Sequence, residues 1–212
     1  MNTLQLISEW IIIVPFFTGL LLFRSLKLDS KIIFLIVCAA FIPQLATTFL
    51  KKIDKTTLNI LYNLYTPVEF FLFLYFFSTK LKWNKVFYVA SFIVAAISFY
   101  FFYCFGLKIK VLFELICLAN LIYVFFIFYY FLKMFRNDTY VFSVKESFNW
   151  YILGLLLYAP CTFFLFADYL NTSANLHHGK STLWVIHNIF NITLYITFTI
   201  GFLKERKQPI TV

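Results

Sequence analysis

The stretch KVLFELICLANLIYVFFIFYYFLK, residues 110–133, carries no charged side chain between Glu114 and Lys133. A helix that crosses the hydrocarbon core of a bilayer needs about 20 predominantly apolar residues, and this stretch is long enough. Six other stretches have a similar length and character. The sequence therefore predicts seven transmembrane helices, over residues 3–24, 31–50, 57–79, 84–106, 110–133, 147–168 and 181–203.

The composition supports a membrane protein made of helices. Hydrophobic residues make up 62% of the 212 residues and charged residues only 13%, about half the charged share of a typical soluble domain. The apolar runs are too continuous for the alternating pattern of an outer-membrane β-barrel strand. Because the connections are short, residues 1–212 are expected to form a single all-α, seven-helix transmembrane domain.

The basic residues serve as signals of orientation. All 18 Lys and Arg lie between or beside the predicted spans, so the net charge of +9 does not indicate a nucleic-acid partner. With the N-terminus outside, 12 of them fall on the inner side: Arg24, Lys27, Lys31, Lys80, Lys82, Lys85, Lys133, Arg136, Lys145, Lys204, Arg206 and Lys207. The positive-inside rule then predicts an outer N-terminus and a cytoplasmic C-terminus.

Two further features of the sequence bear on the cellular setting. The first basic residue is Arg24, so the charged start of a secretory signal peptide is missing and the first span is expected to remain as a helix. The abundance of Phe, Ile, Lys and Asn is typical of AT-rich genomes. We therefore expect a bacterial inner (cytoplasmic) membrane.

The cysteines do not indicate a disulfide framework or a metal site. Each of the four falls within or at the end of an apolar span, and no pair has CxxC spacing; they are Cys38, Cys104, Cys117 and Cys161. We expect neither a metal nor a cofactor.

Glu69 is the residue that stands out within the predicted spans. It lies about twelve residues into the third span, roughly 18 Å along a helix that rises 1.5 Å per residue, and so near the bilayer midplane. A carboxylate at that depth costs at least about 2.5 kcal/mol on insertion scales. It must be protonated, paired or in contact with water, or else a neutral Glu69 bonds a carbonyl that Pro67 leaves free.

Two polar helix faces are expected to meet around this residue. On the third span, Asn59, Asn63 and Thr66 share a face that Tyr62 and Glu69 extend. On the seventh span, a second face carries Trp184, His187, Asn188, Asn191 and Tyr195. Because polar faces in a bilayer turn toward each other, we predict a pocket lined by Glu69, Asn59, Asn63, Thr66, His187, Asn188, Asn191 and Trp184.

The depth of the polar groups predicts where that pocket opens. Most intramembrane polar residues, including Glu9, Gln44 and Asn120, fall in the outer half of their spans. The inner halves are nearly all apolar and aromatic. A channel or transporter usually needs polar groups along a whole path. Transport, as a small-solute or proton-coupled carrier, is therefore ranked last of three possible functions.

The preferred function is that of a sensor, a ligand-binding protein or a subunit of a membrane complex. Nine residues follow Leu203, too few for an output domain, so signalling is expected to need a protein partner or a homo-oligomer in the membrane. The other expected partners are the membrane lipids.

An intramembrane enzyme is the second-ranked alternative. The stretch TPVEFFLFLY, residues 66–75, resembles the Pro-x-Glu-Glu motif of membrane lycopene cyclases, with Phe70 in place of the second Glu. The pair His187 and Asn191 has the spacing of the His-x-x-x-His motif of seven-helix zinc hydrolases, with Asn191 in place of one ligand. Such an enzyme is expected to act on a lipid or isoprenoid substrate, as a hydrolase or a cyclase, with Glu69 as general acid and His187 as base.

Overall fold

The computed structural model describes residues 3–49, 55–81, 84–106, 112–136, 143–171 and 179–206, and no strand occurs in these ranges. The described residues form eight α-helices and one short 3₁₀ turn at Phe23–Ser25. The helices are α1 (Thr3–Trp10), α2 (Ile13–Leu22), α3 (Leu28–Phe49), α4 (Lys55–Leu81), α5 (Asn84–Phe105), α6 (Phe113–Arg136), α7 (Ser147–Asn171) and α8 (Gly179–Arg206). The predicted all-α fold is confirmed, with α1 and α2 together occupying the first predicted span.

Six of these segments are long and apolar enough to cross a membrane. They are Thr3–Ser25, Leu28–Ala46, Thr56–Leu81, Phe113–Arg136, Ser147–Asp168 and Trp184–Glu205. Helix α5 contributes a shorter apolar stretch, Tyr88–Cys104. Many large apolar side chains point outward, among them Leu21, Phe92 and Tyr103, as expected of a surface that faces lipid tails. The chain is therefore an integral membrane protein.

A break at Ile11 and Ile12 separates α1 from α2, and Pro15 explains it. Proline has no backbone N–H, so the carbonyl of Ile11 cannot receive the usual bond from the fourth residue on. The amide of Val14 bonds that carbonyl instead, at 3.0 Å. Helix α1 can therefore take its own direction, and it packs against α8.

Helices α7 and α8 form the closest helix pair, because glycine allows their backbones to approach. A β-carbon added at Gly201 of α8 would overlap the ring of Tyr151 on α7. A β-carbon added at Gly154 of α7 would overlap the hydroxyl of Thr197 on α8. Small residues at such positions are typical of membrane helix contacts, where van der Waals packing drives association.

Aromatic packing fills the half of the bundle that holds the C-terminal end of α4. The ring of Tyr123 stacks on Phe70 with centroids 5.6 Å apart and lies 4.8 Å from the Phe73 centroid. We call these three residues the floor. All three are 2% exposed, so together they close this level of the bundle.

Below the floor, stacked pairs continue toward the end of the bundle. The rings of Phe76 and Phe148 are 4.8 Å apart, and those of Phe77 and Phe126 are 5.3 Å apart. Offset stacking of this kind adds to the dispersion energy of the buried rings. This half of the bundle, which the sequence predicts to be apolar and aromatic, is thus a packed core.

Candidate functional site

A cavity of about 770 Å³ lies above the floor, at the end of the bundle that holds α1. Its walls come from α1, the C-terminal half of α3, the N-terminal halves of α4, α6 and α8, and the C-terminal half of α7. N-terminal helix halves and C-terminal helix halves meet at this end of the bundle because helices that follow one another in the chain run antiparallel.

Six of the eight residues predicted to form a pocket line this cavity. They are Thr66, Glu69, Trp184, His187, Asn188 and Asn191. The other two, Asn59 and Asn63, are buried on α4 but are not among the described lining residues. The Oδ1 atom of Asn63 accepts a hydrogen bond from the amide of Leu112 at 2.9 Å. Asn63 thus satisfies a backbone donor at the start of α6, where helix amides lack partners.

Glu69 is paired with a tyrosine. The hydroxyl of Tyr65, one turn earlier on α4, donates a hydrogen bond to Oε1 of Glu69 at 2.6 Å. Tyr158 and Tyr195 line the same cavity as Glu69. The i, i+4 spacing of Tyr65 and Glu69 is visible in the sequence, although the polar face predicted for this helix contains Tyr62 and not Tyr65.

His187 lies among aromatic rings. Its ring centroid is 5.3 Å from Trp184, 5.7 Å from Tyr158 and 6.1 Å from Phe166. Its Nδ1 atom is buried and has no hydrogen-bond partner among the described residues. Tyr158 thus packs against the His187 ring and lines the same cavity as Glu69.

Asn120 lines the cavity and carries an unused hydrogen-bond acceptor. Its side chain is 5% exposed and lines the cavity from α6. The Nδ2 atom donates to the carbonyl of Ile116 at 2.8 Å, which fixes the orientation of the amide. The Oδ1 atom is buried without a partner in the described part of the chain. An unsatisfied buried acceptor costs free energy unless a bound molecule donates to it.

Helix α1 forms one wall of the cavity. Leu4, Gln5, Ser8 and Glu9 face the cavity, and Nε2 of Gln5 donates to Oε1 of Glu9 at 3.0 Å. Asn191 on α8 holds this wall in place, because its Nδ2 atom donates to the Ser8 carbonyl at 3.1 Å and is 3.0 Å from the Ser8 hydroxyl. Hence Asn191 has a structural partner as well as a place in the lining.

The charges of the lining are of one sign. Glu9 and Glu69 are its acidic residues, and no Lys or Arg occurs among the described lining residues. Among all the residues that the structure describes, no group of three His, Cys, Asp or Glu could hold a metal ion.

A second buried carboxyl lies at the opposite end of the bundle, and the sequence analysis did not select it. Glu205 is 5% exposed. Its Oε1 accepts hydrogen bonds from the hydroxyls of Ser30 at 2.7 Å and Ser147 at 2.9 Å, and its Oε2 accepts one from the amide of Lys27 at 2.8 Å. The predicted span ended at residue 203, but α8 continues to Arg206 and carries Glu205 between α3 and α7.

No family model matches the chain, and no curated protein or solved structure is significantly similar to it. The class of the protein, an integral membrane helical bundle, therefore follows from its sequence and fold alone.

Proposed function

We propose that the protein binds a small ligand in the cavity above the floor and acts as a sensor or as a ligand-binding subunit of a membrane complex. The single observation that carries the proposal is a cavity of about 770 Å³ with an ionisable residue, Glu69, in its wall. Pockets for small molecules range over about 300–1,000 Å³ and combine apolar walls with a few polar groups. Ionisable residues at membrane depth mark functional sites by default.

The packing below the cavity favours binding over transport. A transport path needs wet or polar surface on both sides of the site. Here the floor of Phe70, Phe73 and Tyr123 is followed by stacked aromatic pairs, and the rings of the floor are 2% exposed. A ligand that enters from the α1 end meets a closed core.

The orientation and the setting complete the proposal. The excess of basic residues predicted on the inner side puts the α1 end, and with it the cavity, on the outer face of the membrane. We assign the protein to a bacterial inner membrane on its composition. A signal would pass to a protein partner or to a second copy of the chain, and lipids would surround the bundle.

Cysteine labelling tests whether the cavity is accessible. The four native cysteines are replaced by alanine, and single cysteines are then introduced by Thr66→Cys or Ser78→Cys. Both positions lie on α4 and both side chains are 7% exposed, but only Thr66 lines the cavity. With iodoacetamide, a small uncharged reagent, on protein in nanodiscs, we expect Thr66→Cys to react at least about tenfold faster, because Ser78→Cys must wait for local opening.

Equal and slow labelling of the two positions would contradict the proposal, because it would mean a closed cavity. The side of entry is read in sealed vesicles of known orientation. A membrane-impermeant thiol reagent should reach Thr66→Cys only from the side that bears the N-terminus. Labelling from the C-terminal side alone would overturn the outward orientation.

An intramembrane enzyme is the second candidate, and one observation favours it. Glu69 and His187 line the same cavity, and Tyr158, which packs against His187, lines it too. A general acid and a base must approach one substrate position. Purified protein is incubated with phospholipid or isoprenoid substrates and products are measured by mass spectrometry. Turnover that is lost in both Glu69→Gln and His187→Gln would support catalysis, and unchanged substrates would exclude it for those classes.

A further inference from the structure

The cavity offers hydrogen-bond acceptors that need donors. Oδ1 of Asn120 is buried without a partner among the described residues, and its amide nitrogen is already used by the Ile116 carbonyl. Glu69 presents a carboxyl group to the same cavity. A ligand that brings only acceptors would leave Oδ1 of Asn120 unsatisfied and would be repelled by the Glu69 carboxyl, whose Oε1 already accepts from Tyr65. A ligand rich in N–H donors would satisfy both groups.

Asn120 and Glu69 lie at the same level of the bundle. Tyr123 lies three residues after Asn120 on α6, on the same side of the helix. Its ring stacks on Phe70, which follows Glu69 on α4, with centroids 5.6 Å apart. The floor residues Tyr123 and Phe70 thus follow Asn120 by three residues and Glu69 by one residue along their helices. Glu69 and Asn120 therefore both line the cavity close to the floor.

The charge and the rings of the lining select for a cation. The acidic residues Glu9 and Glu69 have no Lys or Arg to balance them among the described lining residues. The aromatic residues of the lining are Tyr62, Tyr65, Phe113, Tyr158, Phe166, Trp184 and Tyr195. The face of an aromatic ring attracts a cation through its quadrupole, by about 0.5–2 kcal/mol. An anion would meet both the carboxyls and the negative ring faces.

We propose that the natural ligand of this cavity is a protonated organic amine with an apolar or aromatic body. Its ammonium group lies against Glu69 and donates to Oδ1 of Asn120, and its body packs on the aromatic wall formed by Phe113, Phe166 and Trp184. An ammonium group has three donors and no acceptor, so it can donate to the Glu69 carboxyl and to Oδ1 of Asn120 at once. This inference rests on the proposed ligand-binding function and names the chemical class of the ligand.

Three probes that share one carbon body test the inference: phenethylamine, phenethyl alcohol and phenylacetate. Binding to the full chain in nanodiscs is measured by titration calorimetry, with empty nanodiscs correcting for partition into lipid. We expect the amine to bind at least about tenfold more tightly than the alcohol, since a charge-assisted hydrogen bond and cation–π contact add to its affinity. Phenylacetate should bind most weakly.

Variants then assign the preference to the cavity. Glu69→Gln should reduce the preference for the amine over the alcohol to about threefold or less, and Asn120→Leu should weaken amine binding several-fold. Glu146→Gln is the matched control, since it makes the same charge change at an exposed site beside α7 and should leave the preference unchanged. If Glu69→Gln does not fold, the ranking of the three probes on the wild-type chain still decides.

Each result has a distinct reading. An alcohol that binds as tightly as the amine overturns the cationic ligand but not the ligand-binding cavity. An amine preference that survives in Glu69→Gln overturns the placement of the ammonium group against Glu69. The absence of binding by all three probes, with Thr66→Cys still labelled by iodoacetamide, overturns the amine as well. If Thr66→Cys is also unlabelled, the proposed function itself fails.

Discussion

Glu205→Ala is expected to destabilise the bundle more than any other single change of a charged residue among those described. The carboxyl of Glu205 accepts hydrogen bonds from Ser30, Ser147 and the amide of Lys27. The Ser30 hydroxyl has one proton and gives it to Glu205, so the hydroxyl of Tyr151, 2.6 Å from it, must be the donor to Ser30. The network therefore joins α3, α7 and α8.

The magnitude follows from the number of bonds lost. Side-chain hydrogen bonds in a membrane protein contribute about 0.6 kcal/mol on average and up to about 1.7 kcal/mol. Three bonds to a carboxyl group give about 2–5 kcal/mol, and the amide of Lys27 is left without its acceptor at the positive end of α3. We expect the free energy of unfolding to fall by about 3 kcal/mol in Glu205→Ala.

Reversible unfolding in mixed detergent micelles, with increasing SDS, measures this change. Glu146→Ala is the matched control, because Glu146 is exposed near the same end; it should stay within about 0.5 kcal/mol of wild type. Glu205→Gln should lose only about 1 kcal/mol, since the amide can accept from Lys27 and donate to the serine oxygens. A stability of Glu205→Ala within about 0.5 kcal/mol of wild type would refute the reasoning.

Three further changes test other parts of the fold. Tyr65→Phe removes the hydrogen bond to Glu69 and should lower the free energy of unfolding by about 1 kcal/mol; an unchanged value would mean that the bond adds nothing. Gly201→Ala forces the ring of Tyr151 to move and should cost about 1–3 kcal/mol in the same assay, whereas a neutral result would show that α7 and α8 can separate freely. Pro15→Ala restores a backbone donor and should join α1 and α2 into one helix; spin-label distances between the two ends of this segment should lengthen, and unchanged distances would assign the break to another cause.

The sequence predicts the helices well because the physical constraint on them is local. A helix in a bilayer must be long enough and apolar enough on its own, so residues 147–168 could be identified without knowledge of the neighbours. The helical repeat is also local, which is why Thr66 and Glu69 on α4 could be assigned to one face. These two line the same cavity as His187 of α8.

The partners of the site residues depend on which helix ends meet, and a single sequence does not carry that information. Asn63 shares the polar face of α4, yet its acceptor is used by the amide of Leu112, because the start of α6 lies beside it. Glu205 lies past the predicted end of its span, and its importance comes from Ser30 and Ser147 on two other helices. In a bundle with so many Phe and Leu, packing partners are chemically similar, so pairing cannot be read from composition.

The two ends of the chain depend on each other for assembly. Asn191 bonds Ser8 across 183 residues, and Glu205 bonds Lys27 across 178. Contacts of such separation form late, since loop-closure entropy opposes them. An intermediate that has inserted α1 to α7 therefore lacks the cavity wall that α8 contributes, which includes His187, Asn188 and Asn191.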